Sequence, residues 1–237
     1  MRVPKLIVFD LDDTLADTAG TILARAEREA VEALVAQGLR TTPEEASIAL
    51  REIRDRDCAA PFLPLLVERF GAPDPAACVA AGRRAFFGND ARGIRPVPGA
   101  TETLAALAAR GIGLALLTFG VRATQERKIA ELGLDRFFSR VRIIDLALGS
   151  DKTIALAEMI REAGLTPVET WVVGDRPPGE IRAGRELGAF TVRLRRGEFA
   201  SLDPAGPEEE ADRTIDTLPA LLDMLCWQPV AEGPPRA

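Results

Sequence analysis

The chain has 237 residues, of which 47% are hydrophobic and 28% are charged, and its net charge is −6. This length and composition are typical of one globular domain, or of one domain that carries an insertion. Histidine is absent from the sequence, which excludes a Ser-His-Asp or Cys-His enzyme and any zinc site built on imidazole. The acidic balance argues against nucleic acid as a partner, because a basic footprint is missing.

Strand-like runs alternate with helical patterns through most of the chain. Continuous apolar runs predict buried strands over 6–9, 112–119, 141–146, 170–175 and 189–194, and 213–216 can form a short edge strand. Apolar residues at helical spacing predict helices over 99–110, 122–133, 151–164, 179–187 and 218–226. This alternation favours an α/β fold with a Rossmann-like, mostly parallel sheet.

Residues 17–95 interrupt the alternation with helical patterns alone. One helix is predicted to end near Gly38, a second to begin after Thr42 as N-cap, and two more to cover 61–70 and 75–87. We therefore predict an all-helical cap domain, 17–95, inserted into an α/β core domain made of 1–16 and 96–227. The tail, 228–237, is rich in proline and glycine and is predicted to be disordered.

The N-terminus and the cysteines bear on location. The first apolar run is short and is followed by aspartates, so it predicts neither a signal peptide nor a membrane span. The cysteines, Cys58, Cys78 and Cys226, are far apart and odd in number, which favours a reducing compartment over a disulfide framework. We expect a cytoplasmic protein with no membrane partner, and the oligomeric state stays open.

Three aspartates follow the first predicted strand directly. Asp10 and Asp12 are two apart on an extended segment, so they can face one cavity while Asp13 points elsewhere. Open α/β sheets place their sites at the carboxyl ends of strands. Two carboxylates about 4 Å apart repel by about 4 kcal/mol at an effective dielectric of 20. A hard divalent cation offsets this repulsion, and Mg²⁺ is the usual choice where phosphates are handled.

Other predicted strand ends carry groups that suit the same chemistry. The segment Thr118-Phe119-Gly120 offers a hydroxyl and backbone N–H groups that can hold an anionic oxygen. Asp175 follows the fourth strand and can add a metal ligand, with Glu180 in its outer shell. Lys152 opens the helix after the third strand, where its ammonium group can reach a phosphate. Acid, hydroxyl, ammonium and acid are thus expected at one edge of the sheet.

These motifs resemble those of the haloacid dehalogenase superfamily of phosphotransferases. The run DLDDTL at 10–15 matches the family's DxDxT, and GDRPPGE at 174–180 resembles its acidic fourth motif. Thr118 and Lys152 match the hydroxyl and the lysine of the second and third motifs. The helical insertion resembles the type-I cap of the phosphoglycolate-phosphatase-like branch. Glu180 departs from the commoner aspartate, and Lys152 lacks the proline that often follows the family's lysine.

The resemblance implies a Mg²⁺-dependent hydrolase of small phosphorylated metabolites that works through an aspartyl-phosphate. Asp10 would attack phosphorus, and Asp12 would protonate the leaving alkoxide and then activate water, with a pKa that we expect burial and the cap to bring near the working pH. Asp10, the backbone carbonyl of Asp12 and Asp175 would hold Mg²⁺, with Glu180 in the outer shell. The phosphoryl oxygens would be bound by Thr118, Phe119, Gly120 and Lys152.

Other functions of the same fold remain open. A phosphomutase uses the same acid–base pair, and a catalytically silent binding or regulatory protein keeps the fold without turnover. The presence of Asp12 disfavours dehalogenase chemistry. No motif in the cap identifies the substrate, and we expect Phe86 and Phe87 to pack the cap's own core. Among the lysines, we expect only Lys152 to meet a phosphate, since Lys5 precedes the first strand and Lys128 lies on a helix.

Overall fold

The computed structural model describes residues 3–58, 60–145 and 151–226. Its strands are β1 (Leu6–Phe9), β2 (Gly113–Gly120), β3 (Arg140–Asp145), β4 (Thr170–Gly174), β5 (Phe190–Leu194) and β6 (Arg213–Ile215). They form one parallel sheet in the order β3-β2-β1-β4-β5-β6, which confirms the predicted α/β fold. Because β1 lies between β2 and β4, the carboxyl ends of these three strands meet in the middle of the sheet.

The helices fall into two groups along the chain. The first group comprises α1 (Thr18–Thr21), α2 (Leu23–Ala36), α3 (Pro43–Arg56), α4 (Phe62–Phe70) and α5 (Pro75–Phe87). The second comprises α6 (Ala100–Ala109), α7 (Arg122–Glu131), α8 (Lys152–Glu162), α9 (Arg182–Leu187) and α10 (Ala220–Cys226). The second group alternates with the strands, as the sequence pattern predicts.

Both faces of the sheet are covered, because successive side chains of β1 point to opposite faces and all of them are buried. Ile7 and Phe9 belong to one apolar cluster with residues of α6 and α10. Val8 belongs to the other cluster, which includes Leu156 of α8 and Ala183 of α9. A continuous apolar run without alternation is therefore what this central strand requires.

Helices α2 to α5 pack around an apolar cluster of their own, which includes Leu34, Leu50, Leu66 and Cys78. Helix α3 begins where predicted: the hydroxyl of Thr42 accepts a hydrogen bond from the N–H of Glu45, and the carboxylate of Glu45 accepts one from the N–H of Thr42. The helix predicted to end near Gly38 is divided into α1 and α2 at Ile22. The division into a cap and a core domain stays a prediction.

The chain enters and leaves the helical insertion at one place. Ala16 and Pro96 form an antiparallel bridge, and the N–H of Asp17 donates to the carbonyl of Arg95 at 2.8 Å. The N–H of Val97 donates to the carbonyl of Leu15, also at 2.8 Å. Two short paired segments therefore connect α1–α5 to the sheet.

Some predictions fall outside the described residues, namely position 146 of the third strand and the tail 228–237. Cys58 and Cys78 are free thiols in the structure. Within the described ranges, no helix is both long and apolar enough to cross a membrane. The cytoplasmic location stays a prediction.

Candidate active site at the carboxyl edge of the sheet

A cavity of about 540 Å³ lies between the carboxyl edge of the sheet and the helical insertion. Its floor is formed by the ends of β1, β2 and β4 and by the first residue of α8. All eight residues singled out in the sequence line it: Asp10, Asp12, Thr118, Phe119, Gly120, Lys152, Asp175 and Glu180. The structure therefore brings the predicted residues together, while the role of each stays a prediction.

Three buried carboxylates cluster on this floor. One oxygen each of Asp10, Asp175 and Glu180 lies within 4.8 Å of the other two. Asp10 directly follows β1, and its N–H donates to the carbonyl of Val173 in β4 at 2.9 Å, which fixes it beside Asp175. Glu180 approaches because Gly174 has no side chain: a Cβ there would lie 2.6 Å from Cγ of Glu180.

The approach of Glu180 also depends on an irregular turn. The sequence pattern predicts a helix over 179–187, but the chain first forms a π-helical turn over Pro177–Ile181 and only then α9. Such turns are rare and often mark functional sites, because they redirect a side chain. Glu180 is 6% exposed as a result, which places its carboxylate inside the floor.

The electrostatics of this cluster favour a cation. Burial raises the pKa of Asp10 to about 7, and the negative charge of Glu180 adds to the effect, although Lys152 opposes it. Burial, followed by the charges of Glu180 and Asp10, also raises the pKa of Asp175 well above its usual value. Without a bound cation, the surroundings of Asp10 and Asp175 therefore disfavour the ionised forms of both carboxylates.

Lys152 stands between two of these acids. Its ammonium group donates to Asp10 Oδ1 at 2.9 Å and also to Glu180 Oε1. Burial alone would lower the pKa of Lys152, but the charges of Asp10 and Glu180 outweigh it and raise that pKa. Asp151 is the N-cap of α8, where it accepts from the N–H of Thr153 at 2.7 Å. The partners of Lys152 are thus the two floor carboxylates.

Asp12 faces a different set of groups. Lys128 Nζ donates to its Oδ1 at 2.6 Å, Gln125 Nε2 donates to its Oδ2 at 2.9 Å, and the hydroxyl of Thr18 also donates to Oδ1. Burial raises the pKa of Asp12, but the charge of Lys128 and these hydrogen bonds together bring it below its usual value. The expectation that burial and the cap would tune this pKa towards the working pH is therefore wrong, because the charge of Lys128 and the hydrogen bonds to Asp12 together outweigh burial.

Lys128 and Gln125 are the functional-site residues that sequence reasoning missed. We expected Lys128 to lie away from any phosphate, but its side chain is only 7% exposed and lines the cavity. Gln125 lies one helical turn earlier on α7 and also donates to the hydroxyl of Thr118 at 2.7 Å. The available signal was the buried face of α7, which is mostly polar: Thr124, Gln125, Lys128 and Ile129.

Asp13 lines the same cavity as Asp10 and Asp12, so the expectation that it points elsewhere is wrong; the chain is not extended at Asp13, where φ is 53°. Its carboxylate accepts from the N–H of Ala19 at 2.8 Å and from the N–H of Glu198 at 3.2 Å. Burial raises its pKa to about 6. Gly197 makes this contact possible, because a Cβ there would lie 2.3 Å from Cγ of Asp13. Asp13 therefore joins the floor to the start of the insertion and to the loop after β5.

The helical insertion closes over the floor through specific contacts. Arg54 of α3 forms ion pairs with Glu27 at 3.2 Å and with Glu198 of the core. The hydroxyl of Thr124 on α7 donates to the carbonyl of Phe87 at 2.5 Å. Phe86 packs against the insertion's own apolar cluster, as expected, and both Phe86 and Phe87 also line the cavity.

Comparison with known proteins identifies the family. The sequence model of haloacid dehalogenase-like hydrolases matches residues 4–188. The chain belongs to this hydrolase family. The match begins before Asp10 and ends after Glu180, so it includes every residue that the sequence singled out for the floor of the cavity.

Individual relatives of this haloacid dehalogenase-like hydrolase extend over nearly its whole length. Glyceraldehyde 3-phosphate phosphatase of Methanopyrus kandleri is 32% identical over 227 residues, which is 93% of this chain and 97% of that protein. Phosphoglycolate phosphatase of Agrobacterium fabrum is 29% identical over 241 residues, covering 96% and 95%. The crystal structure of a predicted phosphoglycolate phosphatase from Haemophilus somnus superposes with a TM-score of 0.72 at 22% identity, covering 94% of this chain and 99% of the other.

Proposed function

We propose that this haloacid dehalogenase-like hydrolase is a phosphatase that hydrolyses small phosphomonoesters in a Mg²⁺-dependent reaction. The observation that carries the proposal is that two aspartates meet in one cavity. Asp10 belongs to a buried acidic cluster, and Asp12, two residues later, forms an ion pair with Lys128. Relatives named as phosphatases cover nearly the whole chain, which supports this reaction class.

The floor fits a hard divalent cation. Asp10, Asp175 and Glu180 supply oxygen atoms, which are the ligands that Mg²⁺ prefers. Burial and the neighbouring negative charges raise the pKa values of Asp10 and Asp175, and Lys152 opposes the shift at Asp10 only in part. Asp10, Asp175 and the backbone carbonyl of Asp12 would hold the ion, with Glu180 in the outer shell. When bound, Mg²⁺ would neutralise negative charge and orient the phosphoryl group.

The chain's own residues would then divide the reaction. Asp10 attacks phosphorus, so that a bond forms from its carboxylate to phosphorus and the bond to the leaving alkoxide breaks. Lys152, 2.9 Å from Asp10, holds the nucleophile and balances phosphoryl charge. Thr118 and the backbone N–H groups at Phe119 and Gly120 hold phosphoryl oxygens.

Asp12 would move the protons in both halves of the reaction. It gives a proton to the alkoxide and later takes one from the water that hydrolyses the aspartyl-phosphate. Lys128 favours the ionised form of Asp12, which serves the second half directly. A phosphate dianion beside Asp12 acts in the opposite direction and favours its protonated form in the first half.

The test is release of inorganic phosphate from a panel of phosphorylated metabolites with and without Mg²⁺. Wild type should release phosphate only with Mg²⁺, and Asp10→Asn should lose activity by roughly 10⁴-fold or more, since it lacks the nucleophile. Asp216→Asn is the control, because Asp216 is 70% exposed and pairs with Arg195 outside the cavity. Isomerisation of a sugar phosphate without phosphate release would indicate a phosphomutase, and full activity of Asp10→Asn would refute the assignment.

A further inference from the structure

The cap side of the cavity is chemically unlike its floor. Eleven of the fifteen described residues of the insertion that line the cavity are apolar. The floor below them carries five carboxylates and two ammonium groups: Asp10, Asp12, Asp13, Asp175, Glu180, Lys128 and Lys152. We therefore expect the phosphoryl group to bind at the floor and the leaving group of the ester to contact the cap side.

Three aromatic rings of the cap side line the cavity, those of Phe62, Phe86 and Phe87. The ring of Phe86 meets the ring of Phe62 edge to face, with 5.2 Å between centroids, and meets the ring of Phe87 in the same way at 4.9 Å. Phe62 is buried, whereas Phe86 and Phe87 are only partly buried and line the cavity. On the floor side, Phe119 is 44% exposed at the end of β2. Apolar surface of this kind is left in contact with water until a ligand covers it.

Three of the four polar side chains on the cap side have hydrogen-bond partners within the protein, whereas Arg83 is exposed and its guanidinium lies over the ring of Phe87, 5.8 Å from the centroid. The terminal nitrogens of Arg54 bind Glu27, Glu198 and the carbonyl of Cys58, and its Nε is buried without a hydrogen-bond partner. Asn89 donates to the carbonyl of Phe86 and accepts from the N–H of Ala91. The Thr18 hydroxyl donates to Asp12. Hydroxyl groups of a polyol placed against the apolar part of this side would leave water and find few matching partners, which is unfavourable.

We propose that this cap side binds the leaving group of the substrate and selects an apolar, aromatic group over a short polyol. The inference rests on the proposed phosphatase function and names its substrate class: phosphomonoesters of alcohols that carry an aromatic ring. A cavity of about 540 Å³ lies in the size range of sites for drug-sized molecules, and a three-carbon leaving group fills only part of it.

The experiment compares 2-phenylethyl phosphate with glycerol 1-phosphate. Both release a primary alcohol, so the intrinsic difficulty of breaking the phosphorus–oxygen bond is closely matched. Wild-type protein with Mg²⁺ should give a kcat/KM at least about tenfold higher for 2-phenylethyl phosphate. A kcat/KM that is equal for the two esters, or higher for glycerol 1-phosphate, overturns the proposal.

Variants test whether the aromatic residues cause the preference. In Phe87→Ser the ratio of the two kcat/KM values should fall by about tenfold, and in Phe87→Leu it should fall less, because an apolar side chain remains. Phe70→Ser is the matched control: Phe70 is also the last residue of a cap helix, is partly buried and has an arginine, Arg69, over its ring at 5.4 Å, but does not line the cavity. Phe70→Ser should keep the wild-type ratio.

Calorimetry can measure the binding of 2-phenylethylphosphonate and methylphosphonate, which are not substrates for phosphomonoester hydrolysis. These measurements distinguish a failure of the aromatic site from a failure of the phosphatase function. Wild type should bind the aromatic compound about tenfold more tightly than methylphosphonate, and this difference should be smaller in Phe87→Leu. This result supports the aromatic site even where Phe87→Ser does not fold. Equal binding of both compounds overturns the aromatic site, and Asp10-dependent phosphate release then still upholds the phosphatase function. Aromatic binding without turnover of any ester overturns the phosphatase function alone.

Discussion

At the scale of single residues, the site depends on two lysines that hold two aspartates in different states. Lys152 contacts Asp10 inside an acidic cluster, whereas Lys128 contacts Asp12 together with two neutral donors, Gln125 and Thr18. Burial and the charge of Glu180 raise the pKa of Asp10 against the effect of Lys152, whereas Lys128 and the neutral donors bring the pKa of Asp12 below its usual value. Carboxylates whose surroundings shift their pKa values in opposite directions are suited to different tasks in one reaction.

We predict that Lys128→Met lowers kcat by about 100-fold with little change in KM. The Asp12 carboxylate loses the charged one of its three donors and turns from its position, and a displacement of about 1 Å costs on this order. Lys128→Arg should recover part of kcat because it keeps a charged donor. Steady-state kinetics measure both parameters. Lys5→Met is the control, since Lys5 is 66% exposed on the far side of β1, and a loss of the same size there would contradict the prediction.

At the scale of elements, the sequence predicted the strands and most helices well, because a buried parallel sheet requires apolar runs and its covering helices require periodic patterns. Asp10, Thr118 and Asp175 follow directly from strand ends. Lys128 could not be located in this way, because the face of α7 that meets the site depends on how that helix packs. Glu180 likewise depends on a π-helical turn that no periodicity indicates.

Helix α9 illustrates how closely an element must approach the sheet to bring Glu180 into the floor. A Cβ on Gly184 would lie 2.6 Å from Cγ2 of Thr191 in β5 and 3.2 Å from Cβ of Val172 in β4. We predict that Gly184→Ala lowers the free energy of unfolding by about 1–3 kcal/mol through overpacking, although alanine favours the helix itself. Chemical denaturation measures this change.

Thr191→Ser provides the matching second variant, because serine lacks Cγ2 but keeps the hydroxyl that donates to Asp212 at 2.9 Å. The double variant Gly184→Ala with Thr191→Ser should regain part of the stability lost in Gly184→Ala. Strict additivity of the two single changes would show that the close approach of these two atoms is not the cause.

At the scale of the whole molecule, two differently composed parts meet across one cavity. The insertion contributes apolar and aromatic surface, and the sheet contributes charge. Contacts such as Arg54 with Glu198, and Arg196 with Asp17 at 2.7 Å, hold the two together around the opening. Burial on the floor of this cavity raises the pKa values of Asp10 and Asp175, which makes a cation favourable there.

We predict that Mg²⁺ stabilises the molecule as a whole. At about 100 times its Kd, an ion that binds only the folded chain adds about 2.7 kcal/mol, and the Tm should rise by about 5 to 10 °C in a protein of this size. Asp175→Asn should lose this rise, while its metal-free Tm should not fall below that of wild type, because one repelling charge is removed. Thermal unfolding measures both. An equal rise in wild type and Asp175→Asn would place Mg²⁺ elsewhere, and Asp216→Asn should behave as wild type.

The bridge between Ala16 and Pro96 has a consequence for how the helical insertion can be exchanged during evolution. Paired residues of this kind have Cα atoms about 5 Å apart, so a segment of almost any length can be exchanged between them without moving the sheet. Asp10, Lys152 and Asp175 lie outside 17–95, and Phe62, Phe86 and Phe87 lie within it. Exchange of the segment 17–95 between related genes at this one pair of positions would therefore change the residues that face the leaving group. The residues that react with the phosphate would stay the same.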